Sequence, residues 1–162
     1  MIGFMSLEEQ VEADFSNARW TPFFRRVGAR LRKDLISDRL PCFEEVRKKL
    51  GAVSRVHLGR GAVLVQEIAG SVGRCAVFDR AFLPAKANMG ERWKRLDRAF
   101  HRGEELPPVS VHKIGDSYFV ADGNHRVSVA RYHGVETIDA VATKFLTYRR
   151  GAAGMEAARS TT

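Results

Sequence analysis

The stretch LPPVSVHKIGDSYFVADGNHRVSVARYHG, Leu106 to Gly134, constrains the fold more than any other part of this 162-residue chain. Val109 and Val111 alternate with polar neighbours, Ile114 to Ser117 supply a turn, and Tyr118 to Val120 return. This pattern predicts a β-hairpin. Gly123 interrupts the strand, and Asn124 to His133 then read as a helix stopped by Gly134. The order strand, glycine turn, helix start is that of an α/β unit.

The junction also carries chemistry. The first turn of a helix has N–H groups without intrahelical acceptors, and the macrodipole adds positive charge there, so an anion is favoured. Gly123 admits a close phosphate or a positive φ. Asn124 can cap, His125 can donate, and Arg126 can set two donors on phosphate oxygens. Asp122 is the nearby acid able to take a proton or hold a divalent ion. The same residue types also serve as ordinary turn and cap residues, so context has to choose.

Elsewhere the pattern is helical, then β-rich, then helical again. Thr21 and Pro22 read as N-cap and first helical residue, with Trp20, Phe23, Phe24, Val27 and Leu31 on one face and Arg25, Arg26, Arg30, Arg32 and Lys33 around it. Pro41 opens a second helix, with Phe43, Val46 and Leu50 on a face and Gly51 as its stop. VHLGRGAVLVQEIAGS suits two brief strands or a hairpin. In ERWKRLDRAFHRG, Trp93, Leu96 and Phe100 form a core stripe ended by Gly103. TIDAVAT is a last strand. The division expected is a basic helical extension over 1–54, an α/β domain over 55–148 and a mobile tail over 149–162.

Charge and cysteines bound the class. The net charge is +8, and it is uneven: residues 1–16 carry −4, residues 17–60 carry +8 and the remainder +4. A basic 17–60 segment suits DNA or another polyanion, or simply a solvated face. No apolar run is long enough for a membrane span, and the acidic start is unlike a secretion signal, so a cytoplasmic protein is expected. Cys42 and Cys75 lack CxxC spacing, which favours reduced thiols. The histidines His57, His101, His112 and His133 show no ligand spacing, so no metal site is expected.

From about Val63 to Thr143 the chain resembles the ParB/sulfiredoxin superfamily, through GSVGR, FDRAFLP, LPPVSV, YFVADG, GNHR and TIDAVAT in that order. These blocks resemble a poorly characterised bacterial branch. The resemblance implies a small mixed sheet flanked by helices. In similar partition proteins, the positions matching Gly123, Asn124, His125 and Arg126 bind nucleotide phosphates, and Arg74 matches the arginine of an earlier box. The sulfiredoxin thiol position is held by Asn124, which excludes sulfinate reduction. DGNHR also resembles the core of Fic-type transferases, but Tyr118, Phe119 and Val120 stand where that family has His-Pro-Phe, and that reading is rejected.

The expectation is therefore a nucleotide-binding domain for ATP, ADP or CTP with Mg2+. Gly123, Asn124, His125, Arg126, Arg74 and Ser71 would bind, and Asp122 or Glu67 would act as base if a phosphate is transferred or hydrolysed. The rival is a non-enzymatic DNA-associated regulator. In FDR, Asp79 and Arg80 are expected to form a loop-ordering pair.

Overall fold

The computed structural model describes residues 5–32 and 39–147, without the side chains of residues 21–32. Three helices precede or interrupt the strands: α1 (Leu7–Arg32), α2 (Phe43–Leu50) and α3 (Gly90–His101). A fourth, α4 (Asn124–Tyr132), follows the hairpin. The strands are β1 (Ser54–Leu64), β2 (Ile68–Ser71), β3 (Val109–Ile114), β4 (Ser117–Asp122) and β5 (Thr137–Leu146). They form one sheet in the order β1-β5-β3-β4-β2. Because β3 runs parallel to β5 and β2 parallel to β4, while the other pairs are antiparallel, the sheet is mixed. A small mixed sheet flanked by helices is the fold class the sequence predicts.

The central hairpin forms as expected, with Gly115 at φ +58 in the turn. Of the two readings of VHLGRGAVLVQEIAGS, two strands form, the first of them longer than expected, and the hairpin does not. β1 and β2 occupy opposite edges of the sheet, β1 against β5 and β2 against β4. The three-residue 3-10 turn Val65–Glu67 makes this crossover between them, and such a connection leaves no local partner for either strand. Gly70 shows why β2 is glycine-containing: a Cβ there would lie 2.2 Å from the carbonyl oxygen of Pro41. That approach lets Ser71 N–H donate to Pro41 O at 3.2 Å.

α1 corrects a second expectation. It starts at Leu7 and runs through Pro22, so Thr21 is no N-cap. Its start is a capping box: Glu9 N–H donates to Ser6 Oγ at 3.3 Å, and Ser6 N–H donates to Glu9 Oε2 at 2.8 Å. The Ser6-Leu7-Glu8-Glu9 spacing was the available signal. The faces expected of Phe23 to Lys33 lie outside the described side chains, and the tail lies outside the described residues.

Where described, α1 and α2 contribute side chains to the buried clusters. Phe15 and Ala18 of α1 are buried with Trp93 and Val129, and Phe43 of α2 is buried with Ile114, Phe119 and Phe145. Val109, Val111 and Val120 of the sheet pack with Val127 of α4, all fully buried. Acids of the N-terminal segment other than Glu9 meet α3. Glu8 meets Arg98 at 2.9 Å and Glu12 meets Lys94 at 2.6 Å. Phe100, expected as core, is exposed and stacks on His133.

The cysteines are not free thiols. Cys42 and Cys75 form a disulfide with Cα atoms 5.5 Å apart. A parallel bridge between Cys42 and Ser71 carries the chain before α2 past the end of β2, which is what brings positions 33 apart into range. Asp79 orders its loop through the backbone, accepting from Ala81 N–H at 3.0 Å and Leu83 N–H at 2.8 Å. No described helix is long and apolar enough to cross a membrane.

Candidate functional site

A cleft of about 350 Å³ opens where β4 passes into α4, and Arg74, Asp122, Gly123, Asn124, His125 and Arg126 all line it. Its volume lies in the range of small-molecule sites. The remaining wall is α3, which contributes Arg92, Arg95 and Leu96. The opposite side of α3 sends Lys94 and Arg98 to the α1 acids, so this helix divides its cations between a structural face and the cleft.

The turn itself depends on Gly123. Its φ is +96, and a Cβ would lie 2.6 Å from Val109 Cγ1 and 3.0 Å from the Arg126 guanidinium carbon. The glycine thus admits the side chain of Arg126 as well as the backbone bend. Arg126 is more committed than the sequence implied. Its Nη2 donates to Asp122 Oδ2 at 2.9 Å, and its Nη1 donates to the carbonyls of Pro108, at 2.9 Å, and Pro107. It clamps the turn to the entry of β3, leaving fewer donors for a ligand than the predicted fork.

Asn124 and Ser71 also differ from expectation. Gly123, not Asn124, is the N-cap, and no side chain caps α4. The first intrahelical bond runs from Val127 N–H to Gly123 O at 3.0 Å, so the N–H groups of Asn124, His125 and Arg126 precede the helical ladder. Ser71 is fully buried rather than presented to a ligand. Its hydroxyl donates to Asn124 Oδ1 at 2.8 Å and accepts from Arg74 N–H at 3.0 Å, which joins β2, the Arg74 loop and the helix start.

His125 stands edge-on to Phe78, and its Nδ1 is buried without a hydrogen-bond partner. Burial, then the charges of Arg92 and Arg74, hold its imidazole down to about 4, so it is neutral near pH 7. Arg74, Arg92 and Arg95 are solvent-exposed and have no acidic partner among the described residues. Asp122 is the single acid among the residues lining the cleft, on its exposed rim. Glu67 is not brought to the site: it is exposed in the turn before β2, at the end of that strand away from Ser71.

Arg92 and Arg95 are the lining residues that sequence reasoning missed. Their i, i+3 spacing beside the Trp93/Leu96 stripe was the signal, but nothing local says which neighbour a helix face meets. A second, more apolar hollow of about 150 Å³ adjoins the cleft, sharing Pro107 and Arg126 and lined also by Leu106, Val129 and Ile138.

The cleft thus presents an uncapped helix start, a neutral imidazole and three guanidinium groups without an acidic partner among the described residues, an arrangement suited to an anion of several charges. No protein-family model and no curated protein matches the chain. Among solved structures the chain is similar to sulfiredoxin from Arabidopsis thaliana, with 18% identity and a TM-score of 0.36, over 56% of this chain and 84% of that one. At so slight a likeness, the chemistry rests on this chain's own residues.

Proposed function

We propose that the cleft binds the phosphates of a nucleotide such as ATP, ADP or CTP, laid across the start of α4. The observation that carries this reading is the approach of Arg74, Arg92 and Arg95, none with an acidic partner among the described residues, to the uncapped first turn of α4. Three cations around free N–H donors match a di- or triphosphate better than a single carboxylate. Arg126 serves chiefly as the positioning residue that holds the turn, and Ser71 positions Asn124 and Arg74. The apolar hollow beside Pro107 offers a surface for the base.

Asp122 is the one lining carboxylate available to orient an acceptor hydroxyl or water, the role that phosphoryl transfer or hydrolysis requires. Mg2+ fits only as an ion carried mainly by the phosphates, with Asp122 as the chain's single nearby carboxylate, because Mg2+ keeps waters and phosphate oxygens as ligands.

Thermal melts with ATP, ADP and CTP, each with and without Mg2+, test the reading. A ligand at a hundredfold excess over its Kd stabilises by about 2.7 kcal/mol, a readable rise in Tm. Arg74→Ala should abolish that rise, whereas Arg55→Ala, on the edge strand β1, should not. No response to any nucleotide, together with DNA retention that falls steeply with salt, would instead support the DNA-associated reading.

A further inference from the structure

At the other end of α4, three helices bring together four side chains that are scattered in sequence. Asp14 comes from α1, Asp97 and His101 from successive turns of α3, and His133 from the residue that closes α4. One ligand atom from each lies within 4.8 Å of every other. The α4 helix is nine residues long, so roughly 13 Å of helix separates His133 from the Asn124 end that lines the cleft.

The contacts are close. His133 Nε2 is 2.6 Å from Asp97 Oδ1, and His101 Nε2 is 2.8 Å from Asp14 Oδ2 and 3.5 Å from Asp97 Oδ2. His133 Nε2 and Asp14 Oδ2 are 4.0 Å apart. A tetrahedral ion with ligands near 2.0–2.1 Å requires ligand separations of about 3.4 Å. These separations, taken over both carboxylate oxygens of Asp97, fall on either side of that value.

Hydrogen bonding within the cluster leaves one group unexplained. Asp97 is fully buried, yet its Oδ2 has no hydrogen-bond partner among the described residues and lies 3.5 Å from His101 Nε2. A carboxylate placed so pays a desolvation cost that a bound cation offsets. The surroundings also fix the other ligands. Tyr132 Oη donates to Asp14 Oδ1 at 3.1 Å, and the His133 ring stacks on Phe100 at 4.1 Å between centroids.

We propose that Asp14, Asp97, His101 and His133 form a binding site for one divalent transition-metal ion, with Zn2+ the best match. Two carboxylates neutralise a doubly charged ion, and two imidazoles with two carboxylate oxygens complete a four-coordinate set of borderline donors. All four positions are filled by the protein, which makes the ion a structural clamp joining α1 to α3 and α4. The side chains of Asp14, His101 and His133 are each about one-sixth exposed, at 15%, 17% and 15%, so the site has an entry path.

Calorimetric titration of the chelator-treated full chain with ZnCl2, paired with CoCl2 titration followed by visible absorption, tests this directly. One equivalent of Zn2+ should bind, Co2+ should give the intense bands of tetrahedral coordination, and Tm should rise with Zn2+. His133→Gln and Asp97→Asn should each weaken Zn2+ binding at least about 100-fold, beyond what outer-shell changes cause. The less buried Asp14→Asn, with folding checked by circular dichroism, should do likewise, while the exposed His57→Gln should bind normally. Absence of stoichiometric binding, or undiminished affinity in folded Asp14→Asn and His133→Gln, would overturn the proposal. Because His57 lies outside the cluster, an equal loss in His57→Gln would also overturn it.

Discussion

Ser71 Oγ lies 2.8 Å from Asn124 Oδ1, and this buried bond ties the end of β2 to the start of α4 across 53 positions of sequence. Ser71→Ala removes the donor to Asn124 and the acceptor of Arg74 N–H together. Leaving such groups unsatisfied costs about 1–3 kcal/mol. For a chain of this size, Tm should fall by several degrees. Urea titrations of the two proteins would measure the difference, and equal midpoints would show that the bond contributes nothing.

Gly123→Ala should be more damaging. Alanine would have to accept φ +96 and place its Cβ 2.6 Å from Val109 Cγ1. The left-handed backbone alone costs about 1–2 kcal/mol, and the clash displaces either Val109 or the Arg126 clamp. The expected result is a destabilised protein in which nucleotide-induced stabilisation is also lost. Gly61→Ala, on β1 and outside the cleft, is the control, since a Cβ there meets nothing within 4 Å.

The neutral state of His125 sets a pH dependence. Its imidazole titrates at about 4 when folded against an ordinary value of 6.5, so the unfolded chain takes up the proton first as pH falls. Above about pH 6.5 the group contributes no change. The contribution of this group to stability then declines between about 6.5 and 4 and levels off below. His125→Gln should flatten that part of the profile. An NMR titration of the His125 ring should give a midpoint near 4, moving upward when pyrophosphate is added, because a bound anion favours imidazolium. An unperturbed midpoint would remove the desolvation argument.

Reduction of Cys42–Cys75 should destabilise the fold. The crosslink closes a loop between positions 33 apart, for which chain entropy gives about 3–4 kcal/mol. Melts with and without a reductant, and of the Cys42→Ser/Cys75→Ser double variant, should agree with each other and lie well below the oxidised protein. Coincident oxidised and reduced melts would argue against the bond.

The local sequence by itself determined the hairpin, the glycine turn and both ends of α4. Each depends on neighbours a few residues apart: alternation in β3, a two-residue turn at Gly115, and φ-permissive Gly123 and Gly134. It likewise marked the Asp122 to Arg126 run, which lines one cleft with Arg74, a residue that only the resemblance of longer sequence blocks had singled out. Tertiary structure alone decided who meets whom. β1 pairs with β5 instead of β2, Cys42 reaches Cys75, Glu67 stays outside the cleft, and Arg92 and Arg95 enter it. Asp14, Asp97, His101 and His133 likewise acquire a common centre only when α1, α3 and α4 pack. The physical reason is that turns and caps are satisfied by atoms close along the chain. Edge pairing, helix docking and ligand clusters depend instead on which buried faces fit together, and no short window of residues contains that information.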